Sequence, residues 1–259
     1  MAETGAVYYG IVAALPELPR KGAEGFRPLH IPHQYRDLLE SEDARILQHA
    51  YLPIDHTNLL HHLSGRKQFL AGGNYLEDDI RRIATGEWTP WPYLGLFLQD
   101  LRERGASAGA IEADRLLTRS WYRHLLSAEN TLLREWALLR LRLLRHTYAQ
   151  APDSLRSELQ AERELLADAD PGEDPAQYPL PESLLTILRQ PDLTAREFEV
   201  DEWFWDFLEE QVRFAPFSVD ALLSYAMRQQ ICIRRSAFLS SKPENVLDRL
   251  VEDALTDVL

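Results

Sequence analysis

The sequence predicts an all-α fold, a multi-helix bundle, on three observations. Apolar residues recur at helical spacing through most of the 259 residues. Proline, glycine and small polar residues collect between those periodic blocks, where chain reversals belong. No stretch alternates apolar and polar residues well enough to read as a half-buried strand, and no repeat of fixed period is visible. A chain of this length buries enough surface to need no metal or disulfide staple, as one large domain or two small ones.

Residues 7–15 form an apolar run ended by Pro16, read as helix because its surroundings are helical. Residues 19–33 (PRKGAEGFRPLHIPH) are turn-rich and read as a loop. A helix is expected over 34–51, stopped by Pro53, and another over 54–70, capped by Gly72-Gly73. Asn74, with Glu77 three positions on, is expected to cap the next helix. Residues 86–92 (GEWTPWP) make a proline-stiffened loop carrying Trp88 and Trp91.

Three helices follow, over 93–104, 108–126 and 128–149, then a charged, exposed one over 152–168. Residues 169–181 (ADPGEDPAQYPLP) are acidic and proline-rich, the best candidate linker or loop. They would separate a region 1–168 from a region 182–259, unless the two form one continuous domain. Beyond a short helix at 181–189, the most aromatic stretch, 194–235, reads as two helices hinged at Pro216. Thr194 and Glu197 form a capping box for the first of them, and Ser241 and Glu244 announce a last helix from 242.

Composition narrows the function. With 41 acidic against 28 basic residues the net charge is −13, which opposes phosphate neutralisation and hence nucleic-acid binding. It opposes direct docking on anionic lipid as well. The single cysteine, Cys232, fits a reducing compartment. The N-terminus lacks a basic n-region and the 7–15 run is too short to span a bilayer, so a cytoplasmic protein with no membrane insertion is expected.

Catalytic motifs are sparse. Gly105 to Gly109 match the letters of G-x-S-x-G, but a charged helix end precedes Ser107 where the hydrolase elbow needs a buried strand, and a helix–helix turn explains the match better. Six of the eight histidines fall at His30, His33, His49, His56, His61 and His62. Among them His56 and His61 match the H-x₃₋₅-H spacing of zinc ligands, the basis of an alternative reading as a metal-dependent hydrolase. No H-E-x-x-H and no phosphate-binding glycine loop occurs. No catalytic residue and no cofactor is therefore expected. Trp88 and Trp91 are candidates for an interaction surface, the basis of a second alternative, a helical adaptor; a loop covering the adjoining core is the commoner use of such residues.

Charges on apolar faces are more telling. Arg140 sits in the stripe of 128–149, and Arg234 with Gln230 in that of 218–235. Long stems can snorkel. Asp201, between Leu208 and Val212 on its helix face, is too short to do so and needs a partner. A buried ion pair of Asp201 with Arg140 or Arg234 is expected, fixing helix register more than adding net stability.

Three stretches carry a family resemblance: VYYGIVAALPEL at the N-terminus, AGGNYLEDDI followed by WPYLGLFL, and EFEVDEWFWDFLEE with FSVDALLSYAMRQQICIRR. They resemble an uncharacterised bacterial family encoded beside the genes of V/A-type ATPases. That family is itself similar to the socket of the ATPase central stalk, the component lettered C in the A-type naming and d in the V-type naming. The resemblance spans about Tyr8 to Leu250 and none of its motifs is catalytic. Where that family tends to carry an arginine–tryptophan pair this chain has Phe204-Trp205, and Ser236 follows Arg235 where a second pair belongs. The resemblance implies an all-helical, funnel-like socket of the central stalk, with the rotor ring and central shaft as partners. It implies a role in ATP-driven proton or sodium transport without chemistry of its own, peripheral to the inner membrane through the complex.

Overall fold

The computed structural model describes residues 2–23, 26–104, 110–149 and 180–240, and every regular element among them is helical. In order these are α1 (Ala2–Ala14), α2 (Ile31–Gln34), α3 (Ser41–Gln48), a 3₁₀ turn (His49–Tyr51), α4 (Leu52–Leu63), α5 (Glu77–Thr85), α6 (Pro92–Arg104), α7 (Ala110–Leu126), α8 (Thr131–Ala149), α9 (Glu182–Leu188), α10 (Leu193–Val212) and α11 (Val219–Ser240). The all-α expectation is met. None of these helices is long and apolar enough to cross a membrane.

Several boundaries differ from the sequence reading, each for a local reason. The helix expected over 34–51 is broken into α2, α3 and the 3₁₀ turn. Pro32 opens α2, where a missing N–H costs nothing, and extended Glu40 (ψ 150°) interrupts the chain before α3. Pro53 does not stop a helix but sits in the first turn of α4. That helix ends well before Gly72-Gly73: Gly65, at φ 73°, reverses the chain, with Gly65 N donating to His62 O (3.0 Å) and Arg66 N to His61 O (2.8 Å). Those two bonds are a Schellman cap, which needs glycine at its left-handed position.

Asn74 caps nothing. Its side-chain amide donates to Asp55 Oδ2 (2.7 Å) and Gln48 O (3.0 Å), while Leu76 stands at the N-cap of α5 and Asp79 takes the Leu76 N–H at 3.3 Å. At α10 the cap is Asp192, accepting from Ala195 N at 3.1 Å, and Thr194 lies inside the first turn. A carboxylate suits the positive end of a helix dipole better than a hydroxyl. Asn130 caps α8 through Leu133 N at 2.9 Å. The Gly105–Gly109 match, the helix expected over 152–168, residues 169–179 of the expected linker and the helix expected from 242 lie outside the described residues.

Two compact units divide the chain. The first holds the described residues of Met1–Asp55, Leu70–Asn74 and Ser183–Asp248; the second holds those of His56–Phe69 and Tyr75–Glu182. Chain order does not set the division, because α11 packs against α1, α3 and the 3₁₀ turn as well as against α10. In the first unit Ile11, Ile31, Leu47, Tyr51, Phe204, Leu222 and Leu223 make the core. In the second, α6 packs on α7 and α7 on α8 around Phe97, Leu116, Leu117, Leu125 and Leu133.

Candidate functional site

The first unit builds its most distinctive feature on α11. An amphipathic surface helix buries one stripe, but α11 buries Ala221 to Met227 without a break, then Gln229, Ile231, Cys232, Arg235 and Ser236. Its second buried face, spaced at roughly i, i+4, i+7 and i+11, is polar and takes hold of the main chain of the N-terminal loop. Tyr225 donates to Pro16 O at 2.8 Å, the Cys232 thiol to Pro19 O at 3.5 Å, and Arg235 to Arg20 O. Ser236 Oγ accepts from Ala23 N at 3.0 Å. Gln229 grips Leu29 on both sides, Oε1 accepting from its N–H (2.5 Å) and Nε2 donating to its carbonyl (3.0 Å). Tyr51 donates to that same carbonyl at 2.8 Å and accepts from Ile31 N at 3.1 Å. Each of these half-buried main-chain groups gains a partner, as withdrawal from water requires.

Beside this grip lies an ionic cluster. Arg235 is only 2 % exposed, donating to Glu202 Oε1 at 2.6 Å and to Phe198 O at 3.0 Å. Arg20 adds bonds to Glu202 Oε2 and Asp206 Oδ1, both 2.6 Å. Burial pushes the Glu202 carboxyl up, but the hydrogen bonds and charges of Arg235 and Arg20 outweigh it and hold the group below the usual carboxylate range. Buried Trp205 is flanked by Arg20 (5.7 Å from the ring centre) and Arg228 (5.2 Å), and its Nε1 donates to Glu209 at 2.9 Å. Burial raises the Cys232 thiol to about 11, which keeps it protonated and a poor nucleophile.

The expected ion pair forms here, but half-buried and not buried: the side chains of Asp201 and Arg234 keep 14 % and 30 % exposure. Arg234 Nη2 bonds Asp201 Oδ1, and Arg235 Nε stands 3.7 Å from Oδ2. Of the two expected partners, then, Arg234 is the one that pairs; Arg140 belongs to the second unit, its guanidinium 5.9 Å from the Trp136 ring centre. The more buried arginine is Arg235, and beside Gln230, half-buried with its Nε2 out of water, the structure buries Gln229 at 1 % exposure.

One corner of this unit is uncovered. The α10–α11 turn leaves Phe214 89 % and Phe217 45 % exposed, and Tyr9 of α1, 57 % exposed, meets Phe217 edge-on at 4.9 Å. Large aromatic surface left in water and grouped in this way marks an interaction site better than a scattered residue would. Ser218 fixes the turn, donating to Ala215 O (2.8 Å) and accepting from Ala221 N (3.3 Å), and Ser224 Oγ ties α11 to Leu208 O at 2.8 Å.

The other sequence candidates lie elsewhere. Trp91 is a core residue, 2 % exposed, its Nε1 donating to Tyr75 Oη at 2.6 Å, so it offers no surface. Trp88 is half-buried, edge-on to Tyr75 at 5.3 Å and under Arg82 at 5.5 Å. His56 is buried against Tyr93 and Trp121, its Nε2 2.7 Å from Tyr93 Oη, and burial, aided by His124, lowers it to about 3. His61 stands at the helix end with Nδ1 3.2 Å from Gln68 O. His30 accepts from His33 N at 3.2 Å and places Nε2 3.2 Å from Asn74 Oδ1; His49 bonds Arg45 O at 3.0 Å. Among the described residues no three His, Cys, Asp or Glu side chains gather as metal ligands.

The model of a family described as a protein of unknown function (DUF2764) covers residues 5–257. Neither a curated protein nor a solved structure matches the chain. Covered across nearly its whole length, the chain belongs to the DUF2764 family.

Proposed function

We propose that this chain is a non-enzymatic component of a bacterial V/A-type rotary ATPase, a central-stalk socket joining the rotor ring to the shaft and so contributing to ATP-driven proton or sodium transport. On this reading it lies on the cytoplasmic side of the inner membrane, held there by the complex. The resemblance of its three sequence stretches to a family encoded beside such ATPases supports the assignment, and its helical build suits it. The observation that carries the docking role is the exposed trio Tyr9, Phe214 and Phe217, mounted on helices fixed by the Arg235–Glu202–Arg20 cluster. A part that transmits torque needs an adhesive surface on a stiff mount.

The test is co-purification. Tagged chain should retain rotor-ring and shaft proteins from a lysate of the source cells, and a Phe214→Ser, Phe217→Ser double variant should lose them while melting like the wild type. A chain that stays a monomer and ignores those proteins removes the ATPase reading.

A further inference from the structure

From Gly5 onward helix α1 has no polar face. Its outward side consists of Ala6, Tyr9, Gly10, Ala13 and Ala14, all exposed, while Tyr8 and Ile11 turn into the core. A helix apolar all round belongs inside a protein, yet half of this one meets water. The surface is also shaped for close approach: a Cβ added at Gly10 would meet nothing within 4 Å, and Tyr9 with Phe217 forms a wall along one margin.

The charge around this face selects what covers it. No lysine or arginine precedes Arg20, and the last turn of α1 carries no basic residue to offset the negative end of its dipole. Exposed Glu17 follows that end. Tyr8, next along the helix from Tyr9, donates its hydroxyl to Asp43, with Glu40 near enough to act on the same hydroxyl. A second copy would bring two such acidic rims together, and an anionic bilayer would be repelled.

We infer that the outward face of α1, with Tyr9 and Phe217 as its wall, docks an amphipathic helix of a partner protein whose apolar stripe is flanked by lysine or arginine. The inference rests on the reading of this corner as a docking surface and adds the chemistry of the partner.

Two labelled helical peptides with the same leucine face, one flanked by lysines and one by glutamates, are titrated with the full chain by fluorescence anisotropy. The lysine peptide binds at least about tenfold more tightly, and its affinity falls as salt is added. Gly10→Gln, which fills open space and leaves the melting curve unchanged, weakens that binding by about tenfold or more, as does Tyr9→Ser. Equal affinity for both peptides, binding indifferent to Gly10→Gln, or a self-association that Gly10→Gln abolishes would each overturn the inference. The two proposals separate cleanly. Lysine-peptide binding by a chain that ignores the ATPase proteins removes only the ATPase reading, and ATPase binding indifferent to both α1 variants removes only this one.

Discussion

Gly22 lies so close to Arg235 that a Cβ on the glycine would meet the arginine Cβ at 2.8 Å and Ser236 N at 3.0 Å. Its φ of 80° lies in the left-handed region as well. Glycine is needed here twice over, once for the backbone and once for the approach of the loop to α11.

Gly22→Ala is therefore expected to destabilise the first unit by about 2 kcal/mol, combining left-handed strain with a contact that cannot relax into solvent. Urea denaturation followed by circular dichroism reads the loss. A variant with an unchanged midpoint would mean that the loop does not seat on α11 as described.

Neighbouring arginines should behave differently. Arg235 is 2 % exposed and bonded to Glu202, Phe198 O and Arg20 O, so Arg235→Ala empties a buried position and takes the donor from three acceptors at once, and is expected to cost about 2 kcal/mol. Arg234 keeps 30 % exposure, and Arg234→Ala should cost under about 1 kcal/mol. Glu202 adds a pH signature. Its folded-state carboxyl is held below its ordinary 4.5, so the stability it contributes is complete above that value and is lost as pH falls through the lowered one. Glu202→Gln should flatten this acid limb; equal losses from the two arginine variants would sink the assignment.

His56 gives the second unit a dependence of its own. Its ordinary value is 6.5 and the folded value about 3, so between these the unfolded chain binds the extra proton. Stability is full above pH 6.5 and falls as the pH drops, at up to about 1.4 kcal/mol per pH unit for one proton. Substituting His56→Gln should remove that slope between pH 6 and 4, measured by unfolding at fixed temperature. Retention of the full slope in the variant would place its origin in another group.

How much of this could be read beforehand follows the physics of each signal. Periodicity placed α6, α7, α8, α10 and α11 well, because long amphipathic stretches repeat the same message many times. Caps were less legible: Thr194 and Asp192 are both sound N-cap residues within one turn, and α5 starts at Leu76, which has no capping group, and not at Asn74, which has one. The Asp201–Arg234 pair was legible because a short carboxylate on an apolar face leaves few options. Arg235 and Gln229 were not, since a stripe calculation supposes one buried face and α11 has two. Nothing in the sequence around Pro216 marks Phe214 and Phe217 as exposed. Only the fold shows that the turn carries them outward.

The grip of α11 on the N-terminal loop reaches Pro16, Pro19, Arg20, Ala23 and Leu29 largely through their carbonyls and amides. A helix that holds a strap by its peptide groups measures spacing more than it reads side chains. Away from Gly22 and Arg20, substitutions between Pro16 and Leu29 would pass largely unnoticed, but one inserted or deleted residue would put each later peptide group out of step with the side chain waiting for it. This stretch works as a ruler, and its invariant should be its length.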